Sequence, residues 1–342
     1  MSSQPPLIDS HIHLYPSSAL STLPWCTPTH PLASQHSLPE FLSATASSPA
    51  PVSGFVAIES DRATNDASTD WAAPLDEIAW MRRLATGTLL PEEGGPGEGG
   101  KLCLGLVPWA PVVLGGEKLG EYLTKAEEVA GEEAWGRVKG FRFLLQERPV
   151  GTALGEGFVE GLRVLGKRGF VFEVGVDQHR RGRGQLEEVV EMIDRAHEGV
   201  EEGEKVVFVL DHLCKPDLTI LNQTDPSFIA WRTAMFTLSK CRKTYMKLSG
   251  CFSELPDKLK ARPAEDIFAA ILPWLAVVVA AFGPSRIMFG SDWPVCTVGA
   301  GDDAWKKWHK VVDMVCDLAG LSADDQAMLW GGTAKVAYKL EA

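Results

Sequence analysis

The sequence predicts an α/β protein, a (β/α)8 TIM barrel, from three observations. Eight short and mostly apolar runs occur along the 342 residues, and stretches with helical periodicity separate them. Most of these runs lack polar alternation, which is typical of parallel strands buried on both faces. Eight such units are the number that closes this barrel. A doubly wound open sheet is the alternative, but no GxGxxG follows an early strand and no Walker loop occurs.

The first half of the chain supplies four of the predicted strands. A helix is expected to begin at Leu38, with Ser37 as its N-cap. The segment 91–100, PEEGGPGEGG, is predicted to be a flexible surface insertion because of its glycine content. The strands are predicted at 7–14, 54–58, 102–107 and 138–143, and further helices at 74–85, 117–130 and 158–168.

The second half supplies the other four strands and the closing helices. Pro273 is expected to kink or break the helix that contains it. The strands are predicted at 170–176, 206–212, 245–249 and 287–290, and the helices at 185–197, 227–241, 264–282, 303–318 and 322–340. We therefore predict a single domain over 1–342, in which 1–6 is an N-terminal tail.

The composition predicts a soluble, cytoplasmic protein. A net charge of −12 argues against nucleic acid or a membrane as the main partner, which leaves a small-molecule substrate and keeps a homo-oligomer open. Seven cysteines, an odd number without a CxxC pair, indicate free thiols in a reducing compartment. The N-terminus lacks the layout of a signal peptide, and the apolar run 267–282 is too short to span a bilayer.

The carboxyl ends of the predicted strands carry mostly ionisable residues. A chain with 23% charged residues would place far fewer there by chance. The positions are His11, His13, Glu59, Trp109, Arg142, Glu173, His212, Lys215, Lys247, Ser249 and Asp292. Because these ends meet at one mouth of a parallel barrel, we predict an active site there.

His11 and His13 are candidate metal ligands. Spaced i, i+2 on a strand, they project from the same face, and two neutral imidazoles suit a borderline metal such as zinc. The His-x-His pattern alone is not specific for a metal, but His212 and Asp292 on later strands favour a metal site. Asp9 is expected either to orient a histidine or to cap the barrel floor. Asp292 itself is either a catalytic carboxylate or a simple loop cap after its strand.

Other strand-end residues fit substrate contacts. Arg142 can grip a carboxylate or a developing oxyanion, with surface solvation as the alternative for Arg142 and Lys215. Glu173 interrupts an apolar run, so a metal, Arg142 or a substrate hydroxyl should compensate its charge. Glu59 fits a substrate contact or an ordinary loop, and Trp293 gains a pocket role from its position.

Five motifs in this order resemble those of the amidohydrolase superfamily. They are Ile8-Asp-Ser-His-Ile-His13, Lys139-Gly-Phe-Arg142, Val209-Leu-Asp-His-Leu-Cys-Lys-Pro216, Lys247-Leu-Ser-Gly250 and Phe289-Gly-Ser-Asp-Trp-Pro294. The chain is most similar to the amidohydrolase-related (amidohydrolase 2) group, which contains sugar-acid lactonases, pyrone dicarboxylate lactonase and some decarboxylases. The resemblance implies a TIM barrel in which His11, His13, His212 and Asp292 form the site and Asp292 activates water.

Two departures from the superfamily pattern bear on the metal. The histidine that many relatives carry after strand five is missing, with Glu173 as the nearest ionisable residue. Arg142 stands where a carbamylated lysine would be on strand four. A binuclear site is therefore not expected, and the expectation is one divalent ion, zinc, on His11, His13 and Asp292, or no metal at all.

The leading hypothesis is hydrolysis of a lactone, in particular of a sugar acid. Asp292 would deprotonate water, and His212, Arg142 or a metal would polarise the carbonyl. The residues expected to contact substrate are Glu173, Lys215, Trp293 and Glu59. The alternatives are a zinc-dependent decarboxylase of the same superfamily and a barrel that binds a ligand without catalysis.

Overall fold

The computed structural model describes residues 5–341, which form eight parallel strands surrounded by helices. Hydrogen bonding joins the first three strands in the order β1-β2-β3 and the others in the order β4-β5-β6-β7-β8. The strands are β1 (Leu7–His13), β2 (Val52–Ile58), β3 (Cys103–Val107), β4 (Gly140–Arg142), β5 (Val171–Val174), β6 (Val207–Leu210), β7 (Thr244–Leu248) and β8 (Ile287–Phe289).

Parallel bridges outside these strands close the two sheets into a barrel. Leu106 pairs with Val138, and Trp109 with Arg142, which joins β3 to β4. Ile12 pairs with Trp293, and the His13 amide donates to the Trp293 carbonyl at 2.7 Å, which joins β1 to the chain after β8. The predicted (β/α)8 TIM barrel is confirmed, and each predicted strand is present within a few residues of its bounds.

The helices pack around the barrel. Their bounds are α1 (Leu38–Thr45), α2 (Ala72–Ala85), α3 (Gly115–Trp135), α4 (Glu156–Lys167), α5 (Gln178–Arg181), α6 (Arg183–His197), α7 (Pro226–Leu238), α8 (Asp257–Lys260), α9 (Ala264–Phe282), α10 (Ala304–Leu318), α11 (Ala323–Ala327) and α12 (Thr333–Tyr338). A π-helical turn at Met328–Gly332 divides the predicted helix 322–340 into α11 and α12.

Helix α9 runs through Pro273, so the expected break is absent there. Ile271 and Trp274, on either side of the proline, are both buried, and this packing holds the two halves in one helix.

By length and composition α9 could cross a membrane, with a mean hydropathy of 1.9. In this structure its apolar face packs against the helices α7 and α10 instead.

The segment 91–100 forms short 3-10 turns in this structure. Glu93 anchors it, because its buried carboxylate accepts hydrogen bonds from Arg83 Nε at 2.9 Å and from the Leu90 amide at 3.0 Å. The interpretation of the segment as a flexible insertion in a single domain stays a prediction.

Helix α12 lies against the amino-terminal ends of the strands. Ala334 and Tyr338 form an apolar cluster with the inward-facing Ile8, Val56 and Val171. The barrel interior is therefore filled from below, and the space for a ligand lies at the opposite, carboxyl-terminal mouth.

Candidate active site

A cavity of about 450 Å³ opens at the carboxyl-terminal mouth of the barrel. The loops after seven of the strands contribute to it. Its ionisable lining consists of His13, His30, Asp61, Arg142, Glu147, Asp211, His212, Lys215, Lys260 and Asp292. Its apolar lining consists of Tyr15, Trp25, Leu32, Leu144, Val295 and Val298. Of the predicted site residues, this lining includes His13, Arg142, His212, Lys215 and Asp292.

The two histidines of β1 point at each other across the cavity floor. Their Nε2 atoms are 3.1 Å apart, and His11 is fully buried. His13 Nδ1 lies 2.8 Å from the Glu59 carbonyl, which can only accept, so His13 carries its proton on Nδ1. Its Nε2 lone pair therefore faces the site.

Asp292 brings its carboxylate to the same point. The Asp292 amide donates to the His11 carbonyl at 2.9 Å, and the left-handed backbone, with φ at 60°, turns the side chain inward. Oδ1 lies 3.7 Å from His11 Nε2, 3.5 Å from His13 Nε2 and 3.8 Å from His212 Nε2. The structure thus brings together one carboxylate and three imidazoles taken from three different strand ends.

This donor set fits one divalent metal ion. Ligands about 2.0–2.2 Å from a tetrahedral zinc are themselves about 3.3–3.6 Å apart, close to the 3.1 Å and 3.5 Å that separate His13 Nε2 from His11 Nε2 and Asp292 Oδ1. Metal-bound histidines usually donate their second N–H to a carboxylate. Asp211 Oδ1 is 3.3 Å from His11 Nδ1, but in this structure that nitrogen accepts a hydrogen bond from Lys247 Nζ at 2.8 Å, so the ring carries its proton on Nε2, and a metal on Nε2 would require that proton to leave.

His212 belongs to a left-handed turn at the end of β6. The residues His212, Leu213, Cys214 and Lys215 all have positive φ, between 45° and 60°. Such backbone costs about 1–2 kcal/mol per residue and is characteristic of functional sites. Two hydrogen bonds hold the turn, from Trp231 Nε1 to the Leu213 carbonyl at 2.7 Å and from the His179 amide to the Lys215 carbonyl at 2.8 Å.

The His212 ring is fixed from below. Its Nδ1 lies 2.8 Å from Ser249 Oγ, and it covers Gly250, where an added Cβ would lie 2.4 Å from Cγ and Nδ1. Burial and the neighbouring His11 lower the pKa of His212 well below its usual value. The ring is therefore neutral and can donate one N–H to a substrate.

Glu173 lies beneath the cavity, fully buried, in an ion pair with Lys247. Lys247 Nζ donates to Glu173 Oε2 at 2.7 Å and to His11 Nδ1 at 2.8 Å, and Tyr338 Oη donates to Glu173 Oε1 at 2.5 Å. Burial raises the pKa of Glu173 to about 7, although Lys247 opposes this. The structure does not support the predicted contact between Glu173 and a substrate, because both carboxylate oxygens accept hydrogen bonds from Lys247 and Tyr338 inside the barrel.

Glu59 is likewise taken up by a protein partner. Its Oε1 accepts from Arg142 Nε at 2.6 Å, and its backbone carbonyl accepts from Arg142 Nη2 at 2.9 Å. Glu59 is fully buried and does not line the cavity, so it positions Arg142 instead of contacting a substrate as predicted. Burial opposes the charge on Arg142, but Glu59 and Asp211 hold its pKa above the usual value.

Trp293 and Asp9 hold the frame of the site. The ring of Trp293 packs against the rings of Phe41 and His36, whose centroids are 5.5 Å and 5.4 Å away. It does not line the cavity, although the sequence predicted that it would. Asp9 accepts from the Ser291 amide at 2.8 Å and from Trp305 Nε1 at 2.9 Å. Asp9 therefore fastens β1 to the loop that carries Asp292, and it reaches the backbone of His11, not its ring.

Asp211 is one of the ionisable lining residues that the sequence did not predict; the others are His30, Asp61, Glu147 and Lys260. Asp211 follows β6 directly, lines the cavity and is 1% exposed, yet neither carboxylate oxygen has a hydrogen-bond partner among the described residues. Burial alone would raise its pKa, but Lys247, His212 and Arg142 outweigh that effect and lower it. The sequence signal for Asp211 was its position at the end of the sixth strand, directly before His212, but only the histidine was assigned a role there.

Comparisons with known proteins match this chain to an amidohydrolase family profile and to proteins named as lactonases. The family profile described as "Amidohydrolase" matches residues 120–340. An L-rhamnono-gamma-lactonase of Scheffersomyces stipitis is 31% identical over 343 residues, which cover 98% of this chain and 98% of that protein. An L-fucono-1,5-lactonase of Burkholderia multivorans is 34% identical over 221 residues, or 63% of this chain and 67% of that protein.

A solved structure supports the same grouping. The crystal structure of an amidohydrolase from Burkholderia multivorans with bound zinc is 27% identical and has a TM-score of 0.73. The match covers 98% of this chain and 100% of that one, so the likeness extends over the whole barrel.

Proposed function

The chain belongs to the amidohydrolase family, and on that premise we propose that it hydrolyses a lactone, in particular a sugar-acid (aldono-) lactone. The observation that carries the proposal is the convergence of Asp292 with three imidazoles on the cavity floor. A carboxylate that accepts a proton beside neutral donors is the machinery that ester hydrolysis by water needs. The names of the lactonase relatives support the same reaction.

In the proposed reaction Asp292 takes a proton from water while the water oxygen attacks the lactone carbonyl carbon. The neutral His212 and the Nη1 group of Arg142 donate hydrogen bonds to the developing oxyanion. When the tetrahedral intermediate collapses, the bond from carbon to the ring oxygen breaks. The ring oxygen then takes the proton from Asp292, and the product is the open hydroxy acid.

We propose one divalent metal ion, zinc, on His11, His13 and Asp292, whose donor atoms fit it. When bound, such an ion supplies Lewis-acid polarisation of the carbonyl oxygen. Catalysis by the same side chains without a metal is the alternative, because Asp292, His212 and Arg142 already provide a base and two donors.

The charge of the cavity favours a lactone over the substrate of a decarboxylase. Four carboxylates line it, namely Asp61, Glu147, Asp211 and Asp292, against three cations, Arg142, Lys215 and Lys260. Arg142 is paired with Glu59, and Lys260 with Asp257 at 3.0 Å. The lining therefore has no surplus of positive charge to bind a carboxylate, and a neutral polyhydroxylated lactone does not need one.

The test is purified protein against a panel of aldonolactones and pyrone lactones, with proton release as the readout and carbon dioxide release measured in parallel. We expect Asp292→Asn to lower kcat by at least about 100-fold, because the amide cannot accept the proton. Asp302→Asn changes an exposed carboxylate and serves as the matched control. Lactonase activity that survives Asp292→Asn rules out the proposed base, and carbon dioxide release would identify the decarboxylase.

We also propose a cytoplasmic location. All seven cysteines are free in the structure, and five of them are buried. Buried free thiols are typical of proteins that fold in a reducing compartment.

A further inference from the structure

We propose that Trp25, His30 and Asp61 form a subsite that binds the hydroxyl groups of the substrate, in addition to the groups that act on its carbonyl. The inference rests on the proposed lactone hydrolysis and names the wall of the cavity that would select polyhydroxylated lactones. The names of the relatives assign no role to these three side chains.

The three side chains lie on one wall of the cavity, formed by the loops that follow β1 and β2. All three line the cavity and are partly exposed. Trp25 Nε1 donates to the Ser60 carbonyl at 2.8 Å, and the ring of His30 meets the indole edge-on with centroids 5.4 Å apart. Trp25 therefore connects the loop of His30 to the backbone that carries Asp61.

Asp61 offers a free hydrogen-bond acceptor that a ligand can reach. No hydrogen bond or ion pair reaches its carboxylate from residues 5–341, and both oxygens have exposed surface, unlike those of Asp211. Burial and the nearby Glu59 raise the pKa of Asp61 to about 6, so the carboxylate is ionised at neutral pH. A partly buried charge without a counter-ion gains free energy from a donor that enters through the cavity.

The backbone on either side holds the Asp61 carboxylate in place. The Asp61 amide donates to Glu59 Oε2, and the Ala63 amide donates to the Thr22 carbonyl at 2.8 Å. The φ of Asp61 is 55°, a left-handed conformation that at a non-glycine residue is characteristic of functional sites. Because the acceptor is already positioned, a ligand does not lose binding free energy to order it.

His30 offers the matching donor. Its Nδ1 accepts from the Leu32 amide at 3.2 Å, so the neutral ring carries its proton on Nε2. Nε2 has exposed surface and no hydrogen-bond partner in the described part of the chain. Hydroxyl groups both donate and accept, so they can satisfy Asp61 and His30 together, while Trp25 provides an apolar surface for the carbon chain that carries them.

This wall distinguishes lactones by their hydroxyl groups. A hydroxylated lactone replaces the water on Asp61 with its own donors, whereas an unsubstituted lactone of the same ring size displaces that water without restoring its hydrogen bonds. Sites that hydrogen-bond a substrate hydroxyl discriminate strongly against analogues without it. We therefore expect the subsite to act on the choice of substrate and not on the chemical step.

The experiment compares kcat/KM of the full-length protein for an aldono-γ-lactone with that for γ-butyrolactone. In Asp61→Ala we expect the ratio of the first value to the second to fall by about 10- to 100-fold, the effect of losing a hydrogen bond to a charged group. Asp61→Asn suits the left-handed backbone and keeps a neutral acceptor, so it should lower the ratio by about 3- to 10-fold. His30→Ala removes a neutral donor and should lower it by about 2- to 10-fold.

Asp70→Asn is the matched control on the same loop. Asp70 is exposed and does not line the cavity, and asparagine can keep the hydrogen bond that its carboxylate accepts from the Ala72 amide at 3.2 Å. This variant should leave both values of kcat/KM and their ratio unchanged. Circular dichroism and Tm confirm that each variant is folded.

Two results would overturn the assignment. One is an unchanged ratio in both Asp61 variants. The other is an equal loss on both lactones, which would mean that Asp61 acts on the reacting carbonyl through Glu59 and Arg142. An unchanged ratio in His30→Ala would remove the donor from the subsite.

If the wild-type protein hydrolyses no lactone, the proposed function fails by itself. The subsite is then tested by calorimetry with a polyhydroxylated γ-lactam and with 2-pyrrolidinone, its unsubstituted counterpart. A preference for the hydroxylated lactam that Asp61→Ala erases supports the subsite. A wild-type protein without this preference, or a preference that survives Asp61→Ala, overturns it.

Discussion

Lys247→Met removes one half of a fully buried ion pair, and we expect it to destabilise the protein by about 3–5 kcal/mol. Lys247 Nζ and Glu173 Oε2 are 2.7 Å apart, and neither side chain has exposed surface. The methionine has a similar volume, so the loss is electrostatic: Glu173 keeps the hydrogen bond from Tyr338 but loses its counter-charge.

The size of the effect can be read as a shift in Tm. Unfolding entropy of about 2.1 cal/mol/K per residue over 342 residues amounts to about 0.7 kcal/mol/K. The expected destabilisation therefore lowers Tm by roughly 4–7 °C, which scanning calorimetry resolves. Lys258→Met removes an exposed lysine and should change stability by less than about 0.5 kcal/mol.

The destabilisation caused by Lys247→Met should increase with pH. The pKa of Glu173 is about 7 against an ordinary value of 4.5, with burial as the cause and Lys247 as the main opposing influence. A raised pKa means stability that is present at low pH and is lost as pH rises through the folded value. Without Lys247 the pKa rises further, so Lys247→Met should be more damaging at pH 8.5 than at pH 5.5.

The double variant Lys247→Met with Glu173→Gln tests this cause. Because it removes both charges of the pair, we expect it to recover at least half of the Tm lost at pH 8.5. A double variant no more stable than Lys247→Met, or a loss that is equal at both pH values, would refute the ion-pair explanation.

Three further outcomes are expected. Burial lowers the pKa of His309 to about 4, so its neutral form favours the folded state. We expect the free energy of unfolding to be unaffected by this group above pH 6.5 and to fall by up to about 3 kcal/mol as the pH drops through 4. His309→Leu should remove this pH dependence in melting curves. Gly250→Ala should lower kcat/KM by at least about 100-fold without unfolding, because a Cβ would lie 2.4 Å from His212 Nδ1 at a positive φ, and wild-type activity would contradict the position given to that ring. After zinc loading and dialysis, elemental analysis should find zinc retained by the wild-type protein and lost from His13→Ala; no retention by either, with activity intact in chelator, would favour the metal-free alternative.

The sequence was sufficient for the barrel and for the four side chains, His11, His13, His212 and Asp292, that converge on the cavity floor. Parallel strands buried on both faces must be apolar throughout, so eight apolar runs are visible without any contact information. The i, i+2 spacing of His11 and His13 directs both rings to one face wherever the strand lies. Asp292 and His212 follow their strands immediately, which places them at the mouth once the fold is known.

The sequence could not determine how deep each charge lies, because depth depends on the register between neighbouring strands. Glu173 pairs with Arg142 on one side and Val209 on the other, two residues before Asp211. Glu173 therefore lies beneath the cavity with Lys247, while Asp211 reaches the mouth.

By itself, then, the chain determined which strands form, which strand ends carry chemistry and which reaction family they resemble, since these follow from local pattern and spacing. Only the tertiary structure decided that Glu59 and Glu173 pair with Arg142 and Lys247, and that Asp211 is surrounded by charged groups without a hydrogen-bond partner among the described residues. The physical reason is that a buried charge takes its role from whichever donor the barrel places beside it, and those donors come from residues as far away in sequence as Tyr338.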